Sequence, residues 1–422
     1  MRGKLALLIF FVFSLALLLG AATAACSNSS SEDEENGSPT PTVSDSKGGG
    51  SSAPHPGVTD DKILFGQSAA FSGPAWELGT NMQLGILSAF EEVNEAGGVN
   101  GRLLELVALD DGYEPEAAIS NTFELIEENQ VFALIGAVGT PTSRSAVPVA
   151  YEADVPYVAP FTGAAFLREI KWRNVINLRA SYNQETEEMV ARLTEDLGID
   201  RIAVLYQDDS FGLAGLNGAT RALERRQMEP VSVGYYPRNT LAVKAALLKL
   251  RDADPGAVIM VGAYQPVATF ISWAKRVGME DVVFITISFV GSNALADFLG
   301  TDGENVFVTQ VVPFPTDDSV PIVRSYLNAL KAYDVETSPG WVSLEGYLAG
   351  RLTIEALRAC GRDNVTRECF YNSIDSFEAL ELDEFALQFG FADNQGSDKV
   401  FLTVIGPDGN YRAIENMREV YP

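Results

Sequence analysis

The sequence contains few of the side chains on which many catalytic and metal sites depend. It has one histidine and three cysteines in 422 residues. The histidine, His55, stands in a segment that is poor in large apolar residues, so we expect no histidine base in the folded part. Structural zinc needs four cysteine or histidine ligands. The sequence therefore predicts no zinc or other metal site.

Basic residues are also scarce, with 30 lysines and arginines against 57 acidic residues and a net charge of −27. Because positive charge must neutralise phosphates when a protein binds nucleic acid, the composition argues against such a partner. The chain has no Gly-x-Ser-x-Gly elbow and no phosphate loop. The acid pairs at 110–111 and 208–209 are typical of solvated caps. We therefore expect that the protein is not an enzyme and that it has no catalytic residue and no cofactor.

The chain has only one long apolar run, at residues 5–19, and this run follows Arg2 and Lys4. It is shorter than the roughly 20 residues of a membrane-spanning helix. Small residues then lead to Cys26, so residues 1–25 are predicted to be a signal peptide. The small residues also resemble a lipobox, which predicts lipidation of Cys26. The alternative is an ordinary signal-peptidase site at 22–24, which would leave Cys26 as a free thiol.

Residues 26–57 are rich in Ser, Gly, Glu, Asp, Pro and Thr, and we expect them to form a flexible acidic linker. About 365 residues follow. That length exceeds what one hydrophobic core usually organises, so two domains are predicted. Cys360 and Cys369 are expected to form a disulfide, because the protein is predicted to be exported. We place it in the periplasm or on the cell surface, anchored at Cys26.

From residue 62 onward, short apolar runs alternate with longer segments of helical period. Strands are predicted at 63–66, 104–110, 132–135, 157–159, 202–206, 231–235, 258–261, 283–287 and 307–312. Helices are predicted at 76–95, 114–128, 143–152, 183–197, 212–225, 242–253, 266–277, 320–333, 344–359 and 366–373. A tail of hairpins follows, with one turn at 407–410. Continuous apolar strands between amphipathic helices predict an α/β fold with parallel sheets covered on both faces.

The segment 134–143 is the most informative local motif. Thr140 is expected to be the N-cap of a helix, with Pro141 at its first position. The N–H groups of Thr142 and Ser143 would then be free near the carboxyl end of a strand. A helix start favours an anion, and open parallel sheets bind ligands at that edge. The alternative is a well-capped structural helix.

Several segments together resemble the type I periplasmic binding proteins, and within them the leucine/isoleucine/valine-binding family of ABC-transporter receptors. These segments are 65–74, 93–102, 110–111, 160–164 and 206–212. The resemblance implies two doubly wound parallel-sheet lobes, joined by three crossovers, with the ligand between them. It implies a first lobe of 58–180 plus 310–385, and a second of 181–309 plus 386–422.

The resemblance also implies the residues that contact the ligand. Thr140 matches a residue that holds the ligand carboxylate, and Phe161, Thr162 and Gly163 form the next loop. Trp76 matches an aromatic wall of the first lobe. The second lobe would contribute the residues Phe211, Tyr264 and Ser288.

Ser288 lies near the position where amino-acid-binding members have an acidic residue for the ligand ammonium. The negative charge for the ammonium would then come from another acid, Asp208, Asp209 or Glu77. The implied function is a solute-binding receptor for a carboxylate-bearing or amino-acid-like molecule, with an ABC permease and the membrane as partners. A sensor for a signalling partner and a hydrolase on a similar frame are the alternatives.

Overall fold

The computed structural model describes residues 55–377, 379–390 and 392–421. The predicted signal peptide, Cys26 and nearly all of the predicted linker lie outside these residues. Within them, no helix is long and apolar enough to cross a membrane. His55, which we assigned to the linker, instead contacts the folded chain, because its ring lies 5.8 Å from that of Phe132.

The first sheet has five parallel strands in the order β2-β1-β3-β4-β5. Its strands are β1 (Lys62–Ala69), β2 (Leu103–Asp110), β3 (Ala133–Ile135), β4 (Tyr157–Val158) and β5 (Val175–Ile176). Three helices connect them: α1 (Trp76–Glu95), α2 (Pro115–Phe123) and α3 (Thr140–Glu152). The prediction of 76–95 is confirmed at both ends, and Gly97 and Gly98 follow at positive φ. Glycine adopts that conformation at little cost, so the helix stops there.

The second sheet has seven strands in the order β14-β13-β10-β9-β8-β6-β7. Five of them run parallel: β6 (Ile202–Gln207), β7 (Val233–Tyr236), β8 (Ala257–Val261), β9 (Val283–Thr286) and β10 (Val306–Gln310). The strands β13 (Phe401–Ile405) and β14 (Tyr411–Ile414) form an antiparallel hairpin that adds to β10. The predicted turn at 407–410 joins them, with Gly409 at φ 79°.

Five helices accompany the second sheet: α4 (Tyr182–Ala191), α5 (Ser210–Glu224), α6 (Lys244–Asp252), α7 (Tyr264–Lys275) and α8 (Ser292–Leu299). Neither helix α8 nor the two-residue strand β5 was predicted. Strand β8 is buried at all five positions. Such a strand is covered on both faces, as expected for a parallel sheet inside an α/β fold.

The remaining elements are α9 (Pro321–Tyr333), α10 (Trp341–Cys360), α11 (Arg367–Asp375) and a small hairpin of β11 (Leu380–Leu382) and β12 (Phe385–Leu387). Helices α9 and α10 pack on α1. We call the first sheet with α1–α3 and α9–α11 the first lobe, and the second sheet with α4–α8 the second lobe. The chain passes between them after β5, β10 and β12. The exact boundaries inferred from the resemblance stay a prediction.

Cys360 and Cys369 form a disulfide with an S–S distance of 2.08 Å. It joins the last residue of α10 to α11. The sequence-based pairing is therefore present in the structure.

Candidate functional site

The candidate site lies where loops at the carboxyl ends of β3, β4 and β9 meet the first residues of α4 and α5. Most of the predicted ligand residues are brought together here and are buried. The exposed fractions of Thr140, Phe161, Thr162, Phe211 and Ser288 are at most 6%. Trp76 is different, because 43% of its surface is exposed at the first residue of α1.

Thr140 does not cap α3, and this part of the prediction is wrong. The helix starts one residue earlier than the cap assignment requires, with Gly139 as the N-cap at φ 104° and Thr140 as its first residue. A side chain at Gly139 would collide with the Tyr113 ring, since its Cβ would lie 2.2 Å from Tyr113 Cε2. Glycine is therefore required here, and it leaves the Thr140 hydroxyl without a capping role.

The Thr140 hydroxyl instead meets the Thr162 hydroxyl, with an Oγ1–Oγ1 distance of 2.6 Å. Of the two N–H groups expected to be free at this helix start, that of Ser143 is engaged, because it donates to the Gly139 carbonyl at 3.1 Å. The Thr142 hydroxyl donates to the Val138 carbonyl. The helix start is therefore partly closed, and a pair of hydroxyls lies beside it.

Gly163 allows α4 to approach this hydroxyl pair. A Cβ at Gly163 would lie 2.5 Å from Tyr182 Cδ1 and 2.7 Å from Tyr182 N. The Tyr182 N–H donates to the Gly163 carbonyl at 2.7 Å. The Tyr182 hydroxyl is buried near Thr162 but has no well-formed hydrogen bond within the described chain. Tyr182 thus fills the space beside Gly163 and brings a third hydroxyl to the site.

Aromatic rings from both lobes form the apolar part of the site. The Phe289 ring centroid lies 4.5 Å from that of Phe211 and 5.3 Å from that of Phe161. Tyr113 completes the group at 6.0 Å from Phe289. Phe289 and Tyr113 were not predicted as site residues, although each follows a strand end that the sequence analysis identified.

Tyr264 lies in a separate part of the interface between the lobes. Its ring is 5.6 Å from that of Phe298. Leu78 and Tyr264 both contact Gly291, so Tyr264 is on the same side as the start of α1. The Tyr264 hydroxyl is near the Glu77 backbone without a well-formed hydrogen bond, and burial raises its pKa to about 12.

A cluster of buried charged residues lies next to the site, and the sequence analysis did not identify it. It consists of Arg179, Glu185 and Glu345, and the exposed fraction of each is at most 3%. Arg179 Nη2 is 3.2 Å from Glu185 Oε1, and Nη1 is 3.5 Å from Glu345 Oε2. The guanidinium lies over the Phe161 ring at 5.0 Å.

Ser288 belongs to this cluster. Its hydroxyl and its backbone N–H each donate to Glu185 at 2.9 Å, and Arg179 also contacts its hydroxyl. An acidic group is therefore present beside Ser288, but it comes from α4 and already has partners. The two charges are 103 residues or more from Ser288 in sequence, which explains why no local motif revealed them.

Burial and the neighbouring charges shift the pKa values of Arg179 and Glu345. Burial lowers the pKa of Arg179, but the charges of Glu345 and Glu185 raise it above its ordinary value. Burial raises the pKa of Glu345 to about 7, although Arg179 opposes this. Near neutral pH the cluster therefore contains the Arg179 guanidinium and a partly protonated Glu345.

A surface hollow of about 480 Å³ lies between α7 and α8, near Trp273 and Phe298. None of the strand-end residues described above lines it. We place the candidate site at the strand ends because hydroxyl, aromatic and charged groups converge there from both lobes.

Comparisons with known proteins identify relatives of the whole fold. The sequence model of a family described as periplasmic binding protein matches residues 62–410. The Leu/Ile/Val-binding protein homolog 7 of Brucella abortus (strain 2308) is 26% identical over 361 residues, covering 82% of this chain and 88% of that protein.

Two solved structures share the fold at higher identity. A possible leucine/isoleucine/valine-binding protein from Rhodopirellula baltica SH 1 is 37% identical, with a TM-score of 0.80, and the match covers 86% of this chain and 98% of the other. A substrate-binding periplasmic protein from Ralstonia solanacearum is 28% identical, with a TM-score of 0.79 and coverages of 84% and 100%.

Proposed function

The chain belongs to the type I periplasmic binding proteins of the leucine/isoleucine/valine-binding family, and from this premise we propose that it is the extracytoplasmic receptor of an ABC importer. We propose that it binds a small carboxylate-bearing or amino-acid-like molecule between its lobes and presents it to a membrane permease. The related proteins are named as binding proteins, which supports a binding role rather than an enzymatic one.

The proposal is supported mainly by one combination of groups in the site. The Thr140 and Thr162 hydroxyls lie together, and aromatic rings from both lobes pack against each other. Hydroxyls hold a carboxylate by charge-assisted hydrogen bonds. The rings of Phe161, Phe211 and Phe289 give an apolar body a desolvated surface. A cleft with a few polar groups and mostly apolar walls is typical of small-molecule sites.

The first test is to identify the bound molecule and then to remove one hydroxyl. Purified protein is denatured, released small molecules are identified by mass spectrometry, and each is titrated by calorimetry. Thr140→Val keeps the shape but loses the hydroxyl, so we expect roughly ten- to hundredfold weaker binding of a carboxylate. Thr269→Val, on the outer part of α7, is the matched control.

Unchanged affinity in Thr140→Val, with wild-type melting, would place the carboxylate elsewhere. Absence of any released or titratable small molecule would count against the receptor proposal itself.

Membrane attachment through Cys26 is a separate proposal, supported by the small residues before it and the acidic segment after it. We expect Cys26→Ser to move the exported protein from the membrane fraction to the soluble fraction, because a lipidated cysteine is the only proposed anchor. Fractionation in cells without the permease excludes retention by that partner. Equal membrane retention of the variant would refute lipidation at this residue.

A further inference from the structure

The acidic group nearest to the strand-end site has no free position for a ligand. Glu185 accepts hydrogen bonds from the Ser288 hydroxyl and N–H, both at 2.9 Å, and from the Thr309 hydroxyl at 2.7 Å. Arg179 Nη2 donates to it at 3.2 Å. A carboxylate has about four acceptor positions, and these four donors use them.

The buried cation of this cluster lies against the aromatic rings of the strand-end site. Arg179 is fully buried, and its guanidinium lies over the rings of Phe161 and Tyr182 at 5.0 and 5.9 Å. Its Nη1 atom lies 3.5 Å from Glu345 Oε2, whereas its Nε atom has no hydrogen-bond acceptor within the part of the chain that the structure describes. A buried guanidinium with an unused donor favours an incoming anion.

A second arginine strengthens this bias from the outer side of the 161–163 loop. Arg168 donates to the Ala164 carbonyl at 3.1 Å and to the Arg179 carbonyl at 2.8 Å. It thereby fixes the loop that contributes Thr162. The hydroxyls of Thr140, Thr162 and Tyr182 lie in the same region.

The other acids near the cleft do not compensate for the missing ammonium partner. Asp209 caps α5 by accepting from the N–H groups of Phe211 and Gly212, and it also receives a bond from Gln207 at 2.7 Å. Asp208 is exposed. Glu77 is half-buried on the Tyr264 side, away from the Phe161–Phe289 contact, and accepts from Asn81 at 3.1 Å.

Resting on the proposed receptor function, we infer that the ligand is a carboxylate with an apolar body and no α-ammonium group. The strand-end hydroxyls supply donors for an anion, whereas Glu185 is saturated and Glu345 lies 3.5 Å from Arg179 Nη1, so neither acid is left unpaired for a cation. The site thereby separates a carboxylic acid from the amino acid that has the same carbon skeleton. An ammonium placed there would be desolvated beside a guanidinium and would find no free carboxylate.

The test uses pairs of probes that differ only in the amino group. Calorimetry at pH 7.5 compares 4-methylpentanoate with leucine, and 3-phenylpropanoate with phenylalanine. We expect a carboxylate to bind at least about a hundredfold more tightly than its amino acid. 2-Phenylethylamine, which has an ammonium and no carboxylate, is expected not to bind.

Two variants connect the preference to the structure. Tyr182→Phe removes a hydroxyl that has no well-formed partner in the described chain, so it is expected to weaken carboxylate binding about tenfold without lowering the melting temperature. Glu77→Gln is the matched control at the cleft and is expected to leave carboxylate affinity unchanged. Arg179 is unsuitable for the first variant, because removing it leaves two buried acids unpaired.

The outcomes separate this inference from the receptor proposal. Equal or tighter binding of either amino acid overturns the inference but supports the receptor. Loss of amino-acid binding in Glu77→Gln would show that Glu77 holds an ammonium, and would overturn it equally. If none of the probes binds, but mass spectrometry identifies a released amine-free carboxylate, the inference stands. Release of an amine-bearing molecule overturns it, and absence of any ligand overturns both proposals.

Discussion

At the residue scale, the structure identifies the acidic group that lies beside Ser288. Ser288 has no charge of its own, and the sequence analysis identified it as a departure from amino-acid-binding relatives. The structure shows that its hydroxyl and N–H both serve Glu185. Thr140 likewise changes role, because Gly139 takes the capping position and frees the threonine hydroxyl for Thr162.

The pH dependence of stability gives a test of the buried charges. Burial raises the pKa of Glu345 to about 7 from an ordinary value of 4.5. Between these pH values the folded protein binds more protons than the unfolded chain. The contribution of Glu345 to the free energy of unfolding therefore falls as the pH rises from about 4.5 to about 7, and levels off above. The full effect is about 3 kcal/mol.

Glu345→Gln is neutral at every pH and lacks this dependence. We expect the free energy of unfolding of the variant, relative to the wild type, to rise between pH 5 and pH 8 in urea titrations. Glu355→Gln, at a partly exposed position of the same helix, is the control. A difference that does not change with pH for Glu345→Gln would show that Glu345 is ionised throughout.

At the element scale, α1 and α10 pack unusually closely, and glycines make this possible. A Cβ at Gly85 would lie 1.9 Å from the Ser343 carbonyl oxygen, and one at Gly346 would lie 2.3 Å from the Met82 carbonyl oxygen. Neither glycine is at positive φ. The requirement is therefore close approach of two backbones, rather than a special conformation.

We expect Gly346→Ala to destabilise the protein by about 3 kcal/mol or more, because the new methyl group meets backbone that cannot move without separating the helices. The melting temperature should fall by several degrees in differential scanning calorimetry. Gly390→Ala is the control, since a Cβ there meets no atom of the described residues within 4 Å. A wild-type melting temperature for Gly346→Ala would mean that the two helices separate at little cost.

Much of the fold could be predicted from the sequence, because its signals are local. Buried strands such as β8 are continuous apolar runs, and α1 has both a helical period and a glycine stop. Helix α8 was missed because it has only eight residues, between Gly291 and Gly300, which is fewer than a helical period is usually judged over.

The site was predictable only where its residues follow strand ends. Thr140 was identified from its place after a strand, and Phe161 and Ser288 from the resemblance to known binding proteins. The charge cluster escaped because Arg179 and Ser288 are 109 residues apart, and no local pattern connects them. Packing between elements, rather than propensity within one, decides such contacts.

At the scale of the whole molecule, polar contacts on the rim join the lobes near the start of α2. Arg238 Nη2 is 2.6 Å from Glu114 Oε2, and Asn239 Nδ2 donates to Glu114 Oε1 at 2.7 Å. Glu114 belongs to the first lobe, and the other two follow β7 in the second. Proteins with two lobes close around ligands by hinge motion, so a contact that exists only when the lobes meet stabilises the closed state.

We therefore expect Glu114→Ala to weaken ligand binding two- to fivefold, mainly through faster dissociation in stopped-flow measurements. The magnitude follows from the roughly 1 kcal/mol or less that a partly exposed ion pair contributes. Salt screens such pairs, so the difference from the wild type should shrink at high ionic strength. Glu188→Ala is the matched control, because its ion pair with Arg192 lies within α4 and its extension and does not join the lobes. Equal dissociation rates for the wild type and Glu114→Ala at low salt would mean that the rim contacts do not govern opening, and closure would then depend on the buried aromatic and charged groups alone.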